Sequence, residues 1–239
     1  MPISSILIDK GETIMILLLE QAINVLEKEI CEYFNEDSSG HDFFHLKRVL
    51  NLALQIQAVE KGDVMVIGIA SFVHDIHRIM QGKREEYVEP RESLPIVKNL
   101  ITPLGLLERQ IEQIMTAVEF HEEYSFCEGG LTNRNVETMI VQDADNLDAI
   151  GAIGIARVFA YGGSVGNKIY DPAITIGSNY EGDAEAAYSG KSSIHHFREK
   201  LLKLKDNMNT KTGKLLAEER HAFMELYLNQ FYKEWGDIK

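Results

Sequence analysis

The chain is poor in cysteine: Cys31 and Cys127 are the two in 239 residues. They show neither a disulfide-framework spacing nor the paired spacing of a thiolate metal site. Neither has an activating partner beside it in sequence, which argues against a catalytic thiol. Such sparse usage fits a reduced, cytoplasmic protein, and that is the expected location. Long apolar runs are missing too, and nothing approaches the ~20 residues of a membrane span. The longest near the start, residues 13–20 ("TIMILLLE"), is short and flanked by acids. It lacks the basic start and small-residue cleavage site of a signal peptide. Basic residues are in deficit, with 24 Lys and Arg against 37 Asp and Glu and a formal net charge of −13. That balance argues against a nucleic-acid polymer as partner, since such binders carry a basic face. It leaves small anions open, because a metal ion and a few local cations can reverse the field at one site. Sustained strand alternation is absent as well, "PAITIG" being a short candidate at most.

What the sequence does contain is helical periodicity. Leu17, Leu18, Ala22, Val25 and Leu26 mark a first helix. A second runs from about Asp42 with Phe44, Val49, Leu52, Ala53 and Ile56 on its apolar side. A third, over residues 64–79, is apolar nearly all round and belongs in the middle of a core. Further helices are expected at 91–101, 108–121, 135–160, 193–206 and 213–234. Together these give one all-α domain spanning residues 1–239. Residues 161–191 break the pattern, with six of the 18 glycines and no helical stripe. A loop this long inside a compact domain reads as a lid over a functional site. Residues 1–14 read as a loose arm or a non-native start.

Against this apolar background stand eight histidines: His41, His45, His74, His77, His121, His195, His196 and His221. His41 and His45 lie at i and i+4 around the start of the second helix. His74 and Asp75 are adjacent on the most apolar one, in "SFVHDIHRIM". Asp143, Asp145 and Asp148 follow on a later apolar helix. Burying such groups unpaired costs several kcal/mol each. Imidazole nitrogen with carboxylate oxygen suits one divalent ion, whether Mn, Fe, Mg, Ni, Co or Zn. Two His and two Asp would leave an octahedral ion with two positions for water and a phosphate oxygen.

"GHDFFHLKRVLNLA", "HDIH" and "QDADNLDAIGAIGIARVFAYGG" resemble the HD-domain superfamily of metal-dependent phosphohydrolases. The chain is most similar to the small stand-alone bacterial HD hydrolases. The resemblance implies a compact multi-helix bundle with a metal-site core at about 41–150, followed by C-terminal helices over 193–235. It implies a divalent ion held by His45, His74, Asp75 and Asp143. His45 is preferred to His41 because the family ligand shortly precedes an Arg-Val pair, here Arg48-Val49. It also implies a pocket-facing role for His121 in positioning phosphate or water; the alternative is a surface His at a helix C-terminus. Asp145 is a second candidate for orienting or deprotonating the water, and Asp75 joins His121 and Asp145 in the catalytic set. Asp145 and Asp148 cannot both face the ion if Asp143 does, and Asn146 is better placed to share the face of Asp143.

His77, Arg78, His195 and Lys200 are the candidate phosphate contacts. His77 is placed at the pocket rim or behind the ligands, Arg78 at a phosphate or simply on the surface, and His41 at a helix cap or the entrance. The implied function is hydrolysis of nucleotides or other small phosphorylated metabolites. A (d)NTP pyrophosphohydrolase comes first, and a nucleoside monophosphate phosphatase or cyclic-nucleotide phosphodiesterase second. His77-Arg78 stands where alarmone hydrolases of the superfamily carry an acidic pair, which weakens that substrate. A non-catalytic metal- or nucleotide-binding helical module is the reading from another class. No membrane partner is expected, and a homodimer is compatible with the sequence.

Overall fold

Among the residues described by the computed structural model, 10–34, 37, 40–84, 87–126, 134–174 and 192–236, every regular element is a helix. In chain order these are α1 (Lys10–Phe34), α2 (Phe43–Glu60), α3 (Val64–Val73), α4 (Ile76–Arg84), α5 (Leu94–Ile101) and α6 (Glu108–Phe120). They continue as α7 (Val136–Asp148), α8 (Gly151–Ser164), α9 (Ser193–Glu199), α10 (Leu204–Asn207) and α11 (Lys211–Trp235). None of the described helices is long and apolar enough to cross a membrane.

The helices start where side chains can satisfy their unpaired amides. Asp42 accepts from the His45 amide, Asp63 from those of Met65 and Val66, Asn135 from that of Thr138, and Thr210 from that of Gly213. The all-round apolar α3 lies at the centre, with residues 65–73 buried and α1, α2, α6 and α7 packed around it. Gly68 lets α1 come that close, since a Cβ there would lie 2.5 Å from Leu19 Cδ2. One apolar cluster joins α1, α3, α5 and α6; a second joins α2 and α7 to α8 and the C-terminal helices. Both α2 and α7 contribute to each cluster, so polar groups they carry between the two are held from both sides.

Two expected helices are each broken in two. The helix expected over 64–79 stops at Val73; His74 and Asp75 form a turn, and α4 resumes at Ile76. The helix expected over 135–160 ends at Asp148, and the chain turns at Gly151, whose φ of +76° favours glycine. The expected loop over 161–191 begins later than its glycines suggest, because α8 runs to Ser164. A Cβ on Gly162 would lie 2.1 Å from Ser193 Oγ, so this glycine serves close packing of α8 on the start of α9. Residues 175–191, the greater part of the expected lid, lie outside the described residues. So do residues 1–9 of the expected arm, whose last residues, 10–14, are the first turn and a half of α1.

Asp143 ties α7 to the start of α11. Its Oδ1 accepts from Asn209 N at 2.8 Å and Asn209 Nδ2 at 2.9 Å. Its Oδ2 accepts from Thr210 N at 2.8 Å and Thr210 Oγ1 at 2.7 Å. Burial pushes this carboxyl's pKa upward, and the four donors oppose that push. Replacing Asp143 by Ala leaves these donors short of an acceptor, a loss of about 2–4 kcal/mol. Thermal unfolding of Asp143→Ala should show the corresponding fall in melting temperature; a change under about 0.5 kcal/mol, typical of surface positions, would contradict this role.

Candidate metal centre

The helix break after Val73 turns His74 inward. Its Nδ1 donates to the Ser71 carbonyl at 2.8 Å, which leaves Nε2 facing α2. On α2, the Nδ1 of His45 donates to Asp148 Oδ2 at 2.7 Å. The two Nε2 atoms therefore face each other, 3.3 Å apart. With both Nδ1 atoms committed as donors, each ring in its neutral form aims its Nε2 lone pair at the same point. Two carboxylates converge there as well. Asp75 Oδ2 is 3.2 Å from His45 Nε2 and has no hydrogen-bond partner. Asp145 Oδ1 is 3.4 Å from His45 Nε2 and 3.7 Å from His74 Nε2.

Lone pairs and anionic oxygens crowded in a buried space repel unless a cation stands among them. The donor set of two imidazoles and two carboxylates fits a divalent ion. The titration tendencies carry the same sign. Burial alone would depress the pKa of His74, yet Asp75 and Asp145 lift it to about 9. Burial would raise Asp75 and Asp145, yet the imidazoles of His74 and His45 hold both below the usual carboxylate range.

Asp148 stands behind His45 and fixes its ring. Besides His45 it receives Arg48 Nε at 2.7 Å, Arg48 Nη2 at 3.0 Å and Arg157 Nη1 at 2.9 Å. Burial opposes ionisation of Asp148, and the His45 and Arg48 hydrogen bonds overcome it. The proton on His45 Nδ1 is thereby held in place and its Nε2 kept free.

Asp143, expected as the fourth ligand, points away from this cluster into the start of α11. Residues two apart on a helix are rotated by about 200°, so Asp143 and Asp145 occupy opposite faces of α7. The face that anchors α11 cannot also reach His45 and His74, and Asp145 is the α7 acid that converges on them. Asp145, expected to orient or deprotonate the water, has its carboxylate among the converging donors. Asp148, about 60° round the helix from Asp145, is near enough to back His45.

A cavity opens from Asp75 and Asp145, and His41, Arg78, Asn146, Arg157, His196 and Lys200 are among its lining residues. Burial, with Arg157 and Arg78 near by, holds the pKa of His41 well below its ordinary value. Lys200 Nζ lies 4.7 Å over the Tyr124 ring at the cavity wall. Arg78 donates to Gln81 Oε1 at 3.1 Å and to Glu122 Oε1. His195, expected at the phosphate, is turned away. Its Nδ1 meets Ser192 Oγ at 2.5 Å, its Nε2 meets the Ile174 carbonyl at 3.1 Å, and its ring stacks on Tyr170. Its neighbour His196 faces the cavity instead, because adjacent helical residues are about 100° apart.

His77, also expected at the phosphate, is fully buried and is not among the cavity-lining residues. His121 is likewise fully buried at the end of α6, rather than exposed at a helix terminus. Its Nδ1 donates to the Val118 carbonyl at 2.7 Å. Burial, then the charge of His74, lowers its pKa to about 4. Glu122 is a site residue that sequence reasoning passed over. Burial opposes its ionisation, but Arg78 and His77 hold it well below the usual range.

Residues 43–150 match the HD domain family model. Over 202 residues the chain is 37% identical to the Bacillus subtilis protein YpgQ, covering 83% of this chain and 86% of that one. The crystal structure of YpgQ in complex with ADP superposes with a TM-score of 0.70 at 28% identity, covering 91% of this chain and 96% of that one. A Lactobacillus plantarum crystal structure gives a TM-score of 0.77 at 32% identity, covering 92% and 99%. An HD-superfamily hydrolase from Bacillus thuringiensis gives 0.66 at 33%, covering 94% and 100%. With His45 and the His74-Asp75 pair converging at a helix break inside the matched segment, the chain belongs to the HD-domain family and has the fold of its hydrolases.

Proposed function

We propose that the chain is a metal-dependent phosphohydrolase acting on nucleotides, with (d)NTP pyrophosphohydrolysis as its first activity. The observation that carries this reading is the convergence of four donors, two of which, Asp75 and Asp145, line a cavity whose walls hold Arg78, Arg157, His196 and Lys200. In a chain of net charge −13, this cluster of cations stands out as a seat for a polyanion. The complex of YpgQ with ADP supports a nucleotide as the occupant.

A divalent ion held by His45, His74, Asp75 and Asp145 supplies a bound water of lowered pKa and an electrophile for a phosphate oxygen. The chain's own residues do the rest. Asp148 keeps the His45 ring oriented with Nε2 unprotonated, and the Ser71 carbonyl does the same for His74. Arg78, Lys200 and His196 bind the phosphates beyond the cleaved bond. Tyr124, stiffened by Lys200 against its ring, forms an apolar wall suited to the sugar or base. Their position on one side of the ligands orients the substrate with its phosphates toward Asp75 and Asp145.

Metal analysis tests the ligand set. His74→Ala and Asp145→Ala should lose the tightly bound ion and about 100-fold or more in kcat/KM, while Asp143→Ala, although less stable, keeps the ion. Retention of the ion by Asp145→Ala would refute the assignment.

A panel of nucleoside tri-, di-, mono- and cyclic phosphates with Mn²⁺, Mg²⁺, Co²⁺ or Ni²⁺ tests the substrate. Pyrophosphate release from triphosphates is the expected result. Phosphate release from monophosphates alone would identify a nucleotidase, and opening of cyclic nucleotides a phosphodiesterase. Binding without turnover would identify a non-catalytic module. On the substrate found, Lys200→Ala should raise KM about 10-fold with little change in kcat, as expected for loss of uniform phosphate binding.

A further inference from the structure

Ser192 and Ser193 line the cavity together with Val158, Tyr161 and Gly162 of α8. That wall belongs to α8 and the start of α9, not to the elements that carry Asp75 and Asp145. Ser192 is 2% exposed and stands just before α9, where a serine ordinarily accepts a hydrogen bond from a first-turn amide. Its side chain makes no such bond. Instead, Ser192 Oγ meets His195 Nδ1 at 2.5 Å.

The direction of this bond is set from the far side of the ring. His195 Nε2 lies 3.1 Å from the Ile174 carbonyl, which can only accept, so Nε2 carries the proton. In the neutral imidazole Nδ1 is then the acceptor, and the Ser192 hydroxyl donates to it. Tyr170 stacks on the ring, 5.5 Å between centroids, and supports it in that orientation. Ser192 Oγ thus keeps lone pairs alone for the cavity, and among the described residues nothing donates to them. Ser193 is committed in the same sense, its Oγ donating to the Val158 carbonyl at 3.4 Å.

Phosphate oxygens accept hydrogen bonds, and they match Arg78, Arg157 and Lys200, whose side chains only donate. They gain nothing from Ser192, which suits a ligand O–H or N–H. We propose that Ser192 reads the nucleoside half of the substrate by accepting a hydrogen bond from one of its donors, a sugar hydroxyl or a base N–H. His195 is the positioning residue that makes the serine an acceptor alone. The inference rests on the nucleotide reading above and adds which group of the nucleotide is recognised. A substrate analogue without that donor leaves the buried Ser192 lone pairs unmatched, which is how a polar site rejects a near-isostere.

The test is steady-state hydrolysis, by the metal-loaded wild type and variants, of the best-hydrolysed nucleotide and of analogues each lacking one of its donors. For ATP these are 2′-deoxy-ATP, 3′-deoxy-ATP and purine riboside triphosphate, which has no base amine. Ser192→Ala should lower kcat/KM on the parent nucleotide about 3–10-fold, mostly through KM, as for one hydrogen bond. One analogue should escape most of that loss, and it identifies the donor as a sugar hydroxyl or a base N–H. His195→Leu should reproduce both the loss and its dependence on the analogue. His195→Asn, whose Oδ1 can accept from Ser192 in place of Nδ1, should restore most of it. Metal content and circular dichroism are measured for each variant and should match the wild type. No loss in Ser192→Ala, or an equal loss on every nucleotide, overturns the proposal and leaves the hydrolase reading standing. A loss in His195→Leu that is equal on every nucleotide, or that His195→Asn fails to restore, overturns the role of His195. A wild type that turns over no nucleotide overturns the hydrolase reading and this proposal together.

Discussion

The structure turns on a repulsion. Two imidazole lone pairs and two carboxylates are brought together where water is largely excluded, an arrangement that no protein interior tolerates without compensating charge. The surrounding elements hold these groups from behind. The Ser71 carbonyl grips the far nitrogen of His74, and Asp148 grips that of His45, itself clamped by Arg48 and Arg157. The apolar residues of α3 and the two clusters on either side keep the backbone from relaxing. Rigidity is thus supplied by the core and directionality by hydrogen bonds to the far side of the converging rings.

Much of this was legible in the sequence because it depends on local pattern. The helical class follows from periodicity, and the central position of α3 follows from its being apolar on all sides. His45, His74 and Asp75 could be singled out because each is an ionisable group in a segment that otherwise reads as buried. What could not be read depends on contacts between distant parts of the chain. Which of Asp143 and Asp145 faces the histidines depends on Asn209 and Thr210, more than sixty residues later, which claim one face of α7. Sequence periodicity places the two acids on opposite faces but does not say which face meets which neighbour. His195 and His196 posed the same problem, and there too packing decided, with Tyr170 and the Ile174 carbonyl taking the first of the pair.

The break at His74 shows a different limit. A run that is apolar all round gives no sign of where its helix ends, and the residues that would mark a stop are here the functional ones. The turn at His74-Asp75 directs neighbouring side chains toward a common space that an unbroken helix would have spread around its circumference. The second break, at Gly151, does carry a local sign, since a positive φ suits glycine, yet the surrounding apolar sequence masked it.

The charge distribution follows the same division of labour. An acidic exterior surrounds a small set of arginines and a lysine whose partners lie at or behind the cavity. Arg48 and Arg157 neutralise Asp148, and Arg78 neutralises Glu122, so acids near the site are matched locally. On α7, meanwhile, Asp143 and Asp145 stand back to back. One fastens the last long helix and the other faces the histidines, so the helix works as a shared axle. The C-terminal helices therefore take part in aiming a carboxylate on the opposite face of α7. A chain cut short before Asn209 would keep every converging donor in its sequence and yet leave one of them unsteered.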